Sequence, residues 1–588
     1  MTWLWPLMLA VALGLFLVPG LAGAGALRRR GTVPPWATCL VAITVSSGLG
    51  YAVLWAYFLD RRLGRAVAIA VLLASVLAVI VPTPVRRLVL DTARLRDVAV
   101  PVVLMFVVAV FYNALLFAHS PDTPVELRAQ RHLTAAGLAP DNVLPFLFAH
   151  HLYDGTDPRQ LLGDWKSSDR PPLQAGVVLV QLPLSSGLGQ AHLHYQLLAT
   201  TLQCSWIPAV WALCGLARFS GRATAFALGT AVFSGFFFLD SVFAWPKLLA
   251  ASLVVLAYVL LLGRDPPSRP VVALAALGVG LGLLSHAGVV FTLVPLAVVV
   301  AARWSRPRPA GPGPMPGLPA LLATGALVLV VLVAPWSAYK RFYDPPGNKL
   351  SKMHLAGVTG NDDRSLTEAM VDAYSAAGLG GTASNKLENL GTLLGPAPAW
   401  PTLSAGGMAE LRDIELSHVA RSLGLLNLGW LGAGAWLLRR RPRNEPATAC
   451  LTMLAIAAAG LAVWVLVMFG PGTTLVIQGS YATMILLWVG LAGVTGTWSK
   501  WWAIGIMGVQ VAWFTVAWGI ALPGRGQPVD VAAALLAVVA GISCLALLAR
   551  LALAPEAGPT DPTDPTDPAP VEARPAPAEP SRQVPTPR

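Results

Sequence analysis

Between residues 141 and 173 the chain reads DNVLPFLFAHHLYDGTDPRQLLGDWKSSDRPPL. Aspartates stand at 141, 154, 157, 164 and 169, two histidines at 150 and 151, and Asp169-Arg170-Pro171-Pro172 closes the stretch. A carboxylate can take a proton from an attacking group or hold a hard divalent cation, and a guanidinium suits a phosphate. A rigid Asp-Arg-Pro-Pro turn can present the two side by side. Each residue also has a plainer reading. Asp141 precedes VLPFLFAHHL and is an ordinary helix N-cap there, and Asp169 with Arg170 is an ordinary ion pair of a loop. Asp240 ends the apolar run TAVFSGFFFLD, as a solvated boundary acid or as a second functional carboxylate. Lys247 follows Trp245-Pro246, either snorkelling or offering a second phosphate contact. His286 in LLSHAG reads as a turn residue, and His354 in NKLSKMHLAG could ligate a metal, although a lone loop histidine is usually no ligand.

The elements that must position these residues are apolar helices. The chain has 588 residues, is 55% hydrophobic and only 12% charged, with a mean hydropathy of +0.64. Soluble domains carry about 25% charged residues, so this chain is built for lipid. A spanning helix needs about 20 apolar residues, somewhat fewer inside a bundle. On that criterion about fifteen runs qualify: 3–27, 35–59, 66–84, 98–119, 195–217, 223–240, 246–263, 270–285, 288–302, 318–336, 422–438, 448–469, 481–498, 502–522 and 529–553. The first resembles a signal peptide but lacks a basic start and is followed by Arg28, Arg29 and Arg30, so it reads as a retained helix.

The net charge of +12 comes from arginines at the ends of apolar runs, which is topogenic charge and not a nucleic-acid surface. It places the N-terminus outside and the C-terminus in the cytoplasm. One turn disagrees, because Arg61, Arg62 and Arg65 fall on the outer side. All nine histidines map to outer loops or outer helix ends, so the polar chemistry faces outward. The organisation expected is three N-terminal helices (1–97), a membrane core (98–336) with outer loop 120–194, a large outer loop (337–421), C-terminal spans (422–554) and a disordered cytoplasmic tail (555–588). Within the first loop, 174–194 reads as an interfacial helix along the outer surface. The five cysteines lie in or beside apolar segments, with no spacing for a disulfide framework or a thiolate metal site. No GxxxxGK[ST], GxSxG, HExxH or paired CxxC occurs, which argues against ATP-driven transport, serine hydrolysis and metalloproteolysis.

Taken together, Asp141-Asn142, FAHHLYDG, Asp169-Arg170-Pro171-Pro172-Leu173, HYQLLATTLQCSWIPAVWALCGLARFSGR, Asp240, GLGLLSHAG and Ala334-Pro335-Trp336 resemble the GT-C membrane glycosyltransferases. Within that superfamily they are most similar to the protein O-mannosyltransferase and lipid A aminoarabinose transferase group. The likeness runs over about residues 98–360. The chain departs from the pattern in its three preceding helices, in Asn142 at a second acid, and in Arg170 at a lysine. The resemblance implies an all-α GT-C-like bundle that moves a sugar from a polyprenyl-phosphate donor, with inversion, to a cell-envelope glycan, lipid or protein on the outer face. It assigns Asp141, with Asp240 second, to the acceptor, Arg170 and Lys247 to the donor phosphate, and Asp169 and His354 to a divalent cation. With only seven lysines and abundant Ala, Gly, Pro and Arg, the expected home is the inner membrane of a high-GC bacterium. Two other readings compete. A lipid-linked-sugar flippase should carry polar residues along midplane helices, and a scaffold gives no reason for the Asp-Arg-Pro-Pro turn.

Overall fold

Apolar runs cannot leave backbone groups unpaired in lipid, so they fold into helices that satisfy themselves. The computed structural model describes residues 4–134, 137–263, 267–304, 317–360, 362–396, 405–438, 445–470, 481–521 and 528–554. The expected tail 555–588 and most of the Pro-rich linker before residue 317 lie outside them. The first part contains α1 (Trp5–Arg29), α2 (Thr38–Leu59), α3 (Arg61–Ile80), α4 (Pro84–Arg94) and α5 (Arg96–Ala118). The loop that follows holds α6 (Val125–His132), a 3-10 turn (Pro140–Val143), α7 (Leu144–Asp154), a small hairpin of β1 (Gln160–Leu162) and β2 (Trp165–Lys166), and a second 3-10 turn (Ser167–Asp169). Then come α8 (Leu173–Gly187), α9 (Ala191–Gln203), α10 (Trp206–Leu216), α11 (Gly221–Val232), α12 (Gly235–Val242), α13 (Lys247–Gly263), α14 (Arg269–Ser285), α15 (Val290–Trp304) and α16 (Leu318–Ala338). The large loop folds into α17 (Lys349–Ala356), α18 (Leu366–Leu394) and α19 (Ala405–Ser417). The chain ends with α20 (Val419–Leu423), α21 (Gly429–Leu438), α22 (Glu445–Val467), α23 (Tyr481–Trp498), α24 (Lys500–Phe514) and α25 (Val531–Leu553).

The protein is thus an all-α polytopic membrane bundle. Among the described residues ten helical stretches are long and apolar enough to span, eleven if α11 and α12, bent by 61° at a short break, count as one. Helix length does not support fifteen. The apolar helices α13, α14 and α23 are shorter than that criterion, and the run 422–438 is divided among α20, a 3-10 turn and α21.

One hydrophobic core runs through the bundle, and the helices before residue 98 share in it. α2 packs on α8, α13 and α14, and α1 on α9 and α5. Gln181 donates to the Ala12 carbonyl (2.9 Å) and Tyr51 to that of Leu332 (2.7 Å), so α1 and α2 are tied to elements far along the chain. α8 is buried from Leu173 to Leu182, held between α2 and α9, where the sequence predicts a surface helix. Its neighbours on several sides remove the exposed polar face that an interfacial helix needs.

Two of the three discordant arginines, Arg61 and Arg65, have a local cause. Arg61 donates to the carbonyl of Asp154 (2.9 Å) and Arg65 to that of Tyr153 (3.0 Å), with Arg65 also 4.3 Å above the Tyr153 ring. The last carbonyls of a helix have no partner within it, and cations beside them are favoured. Arg61 and Arg65 therefore clamp the end of α7, whose chain turns away at Gly155 in the left-handed conformation (φ +74°).

Near the same end of the bundle, α19 presses two charged side chains inward. Buried Arg412 donates to the carbonyls of Leu133 (3.0 Å), Ala517 (3.0 Å) and Ala521 (3.4 Å). Glu415 accepts from the backbone N–H of Gly235 (2.9 Å), at the start of α12, and from the indoles of Trp518 (3.2 Å) and Trp513 (3.4 Å).

Candidate functional site

Pro140 starts the 3-10 turn that holds Asp141, and it presents the carboxylate inward at 6% exposure. The carboxylate is not a helix cap. One oxygen accepts from the guanidinium of Arg170, the other from the indole N–H of Trp245 (2.7 Å). Arg170 is set by the short turn before Pro171, and its guanidinium lies 4.7 Å above the ring of Trp165. Asp141 and Arg170 are thus brought together from two different turns, whereas the sequence reading set Arg170 beside Asp169 of its own turn.

Trp245 lies on the turn between α12 and α13, and Lys247 opens α13. The Lys247 ammonium stands 3.4 Å from the Trp245 ring centre and 5.2 Å from that of Tyr481. Lys247 is 1% exposed, so it does not snorkel, and among the described residues its ammonium has no hydrogen-bond partner. Asp240, equally buried, accepts from the Tyr481 hydroxyl (2.7 Å) through one oxygen, and its other oxygen has no partner there. One connected group results: Arg170, Asp141, Trp245, Lys247, Tyr481 and Asp240. Ser285, the residue before His286, donates to the Pro246 carbonyl (2.9 Å), which brings the end of α14 to the turn that carries Trp245. His286 itself accepts from the Gly288 N–H (3.2 Å), as a turn residue does.

Asp169 does something else. One oxygen accepts from the Lys166 N–H (3.1 Å) and the other from the Lys349 N–H (3.3 Å), so the carboxylate ties the Asp-Arg-Pro-Pro turn to the start of α17. Burial pushes this carboxyl above the ordinary carboxylate range, and the two N–H bonds pull it back only in part. Beside it Asp344 accepts from Ser167 (2.7 Å) and from the Ser168 N–H (3.0 Å), a second fastening between the loops. Among the described residues no group of three or more His, Cys, Asp or Glu side chains could hold a metal ion. Asp169 and His354 form no such group there. The remaining acids of the stretch are exposed: Asp157 is chelated by Arg159, Asp164 pairs with Lys349, and Asp154 lies beside His150.

The sequence reading missed Trp245 as a partner, Tyr481 and Asp344. Trp245 was visible as the residue before Pro246, and Asp344 as an acid before two prolines. Nothing near Tyr481 in sequence marks it out, because its partner lies 241 residues away.

Chemically, the group offers buried carboxylates and two cations with spare donors. Nε of Arg170, like the ammonium of Lys247, is buried without a partner among the described residues. A buried donor left unsatisfied costs free energy that a bound anion returns. No family model matches this chain, and no curated protein matches it. Among solved structures, the chain is similar to the crystal structure of ArnT from Cupriavidus metallidurans bound to undecaprenyl phosphate, with a TM-score of 0.39 and 16% identity over 77% of each chain.

Proposed function

We propose that this protein is a membrane glycosyltransferase that moves a sugar from a polyprenyl-phosphate donor to a cell-envelope acceptor at the outer face of a bacterial inner membrane. The observation that carries the reading is the pair of buried donors, Arg170 Nε and Lys247 Nζ, which have no partner among the described residues and lie next to the Asp141 carboxylate in an apolar bundle. Such a setting suits a substrate with one compact anion and a hydrophobic remainder. A guanidinium has five donors in a fixed fork. Arg170 can therefore keep its bond to Asp141 and offer Nε to a phosphate oxygen.

In the step proposed, the sugar C1–O bond to phosphate breaks as a bond forms between C1 and the acceptor nucleophile. The lipid phosphate leaves with the bonding pair, and Arg170 and Lys247 stabilise its growing negative charge. The acceptor's proton passes to Asp141, or in the second assignment to Asp240. Attack from the face opposite the phosphate inverts C1. The N-terminus is assigned to the outside and the C-terminus to the cytoplasm.

The test is donor turnover by purified protein with radiolabelled polyprenyl-phosphate sugars and a cell-envelope extract. Wild type should transfer label, and Asp141→Asn should lose about three orders of magnitude while expressing and folding normally. Full activity in Asp141→Asn would remove that residue from the mechanism. Binding of the lipid donor without transfer from any sugar would favour the flippase.

A further inference from the structure

Residues 243–246 interrupt α12 and α13 inside the protein, where buried backbone groups set free must find partners in the protein. Ala244 adopts φ +62°, a region that a residue with a side chain rarely enters. A break of this kind persists only where its surroundings fix it.

Here the fixing is done by three glutamines, all at 0% exposure. Gln196 donates to the Val242 carbonyl (2.8 Å), and Gln174 donates to that of Ala244 (3.0 Å). Gln203 donates to the Gln174 side-chain oxygen (3.0 Å) and accepts from the Leu249 N–H (3.1 Å), one of the free donors at the start of α13. Ser285 donates to the Pro246 carbonyl (2.9 Å), so the turn is held from a second side. Gln174 also reaches the Tyr195 hydroxyl (3.3 Å), which donates to the carbonyl of Asn142 (2.5 Å), the residue after Asp141. One network therefore spans both turns of the site, that of Asp141 and that of Trp245 and Lys247.

We propose that Gln174, Gln196 and Gln203 are positioning residues, which hold the 243–246 turn so that Trp245 and Lys247 meet Asp141. The consequence for catalysis rests on the transferase reading. The holding of the turn does not. A polar group that merely filled the core would have no need to satisfy the carbonyls of both Val242 and Ala244 and to reach the Asp141 turn as well.

The experiment compares wild type, Gln174→Leu and Gln174→Glu in lipid nanodiscs, by hydrogen exchange and by transfer per folded molecule. Leucine removes both of the side chain's roles. Glutamate is isosteric, and it regains the donor to the Ala244 carbonyl only when protonated. Exchange in peptides covering 242–250 should rise at least tenfold in Gln174→Leu, and kcat should fall at least tenfold. Relative to wild type at each pH, Gln174→Glu should recover kcat as the pH is lowered, and Gln174→Leu should not. Unchanged exchange would overturn the proposal, as would raised exchange with kcat intact or the absence of any acid recovery in the folded glutamate variant. Should wild type transfer no sugar at all, the transferase reading fails, and the exchange result alone decides whether the glutamines hold the turn.

Discussion

The buried charges on α19 and those around Asp141 differ in what is left over. Arg412 and Glu415 on α19 spend their bonds on the protein: three carbonyls for the guanidinium, one amide and two indoles for the carboxylate. The group around Asp141 does not. Arg170 Nε, Lys247 Nζ and one oxygen of Asp240 stay buried without a partner among the described residues. Burying a polar group costs free energy unless its bonds are replaced. The α19 pair replaces them and acts as a lock between the large loop, α12 and α24. The Asp141 group leaves the cost standing, which the proposed anionic donor would offset.

The contrast breaks first at Arg412. Replacing it by leucine orphans three backbone carbonyls, each worth roughly 1–3 kcal/mol when buried, so a loss of about 3 kcal/mol or more is expected. Apparent melting in detergent should drop by many degrees, while the molecules that remain folded keep their transfer rate. A variant that melts like wild type would show that α19 is not a lock.

Lys247→Met makes the opposite prediction. The ammonium makes no hydrogen bond to the described residues, so a methionine of similar volume breaks none. Melting should fall by less than in Arg412→Leu, since the contact with the Trp245 ring is lost but no hydrogen bond is, and transfer should fall by about a hundredfold through loss of the charge proposed to face the leaving phosphate. If melting falls as far as in Arg412→Leu, then Lys247 supports structure and the contrast disappears.

Much of this arrangement was open to reading from residue order alone. Apolar length fixed most helices, and Asp141, Arg170, Asp240 and Lys247 were all marked by charge at the edge of apolar runs. What could not be read was geometry that depends on distant partners. Nothing near Asp169 in sequence shows that an amide 180 residues away, that of Lys349, reaches one of its oxygens. Gln174 and Gln203 sit in apolar stretches, where averaging hides them, and their importance depends on a left-handed Ala244 that hydropathy does not register. The same averaging read residues 223–240 as one span, although the chain bends by 61° between α11 and α12.

The smallest effect expected concerns Glu415, on the loop side of the bundle. Burial pushes its carboxyl above the ordinary value of 4.5, and the bonds from Trp518, Trp513 and Gly235 offset that only in part. At low pH the carboxyl is protonated in both folded and unfolded chains. As pH rises past about 4.5 the unfolded chain ionises freely, whereas the folded chain must hold its proton or bury a charge, so stability falls until the folded group has also ionised. Glu415→Gln lacks this titration. Its amide still accepts from Gly235 but presents N–H to the two indoles, so the variant should be less stable than wild type at acid pH. That deficit should narrow as pH rises from about 4.5, when melting is followed across the range. A deficit that instead widens with pH would mean that the indoles and Arg412 favour the charged carboxylate more than burial opposes it. The α19 lock would then be an ion pair in its energetics, as the Asp141 and Arg170 pair is in its geometry.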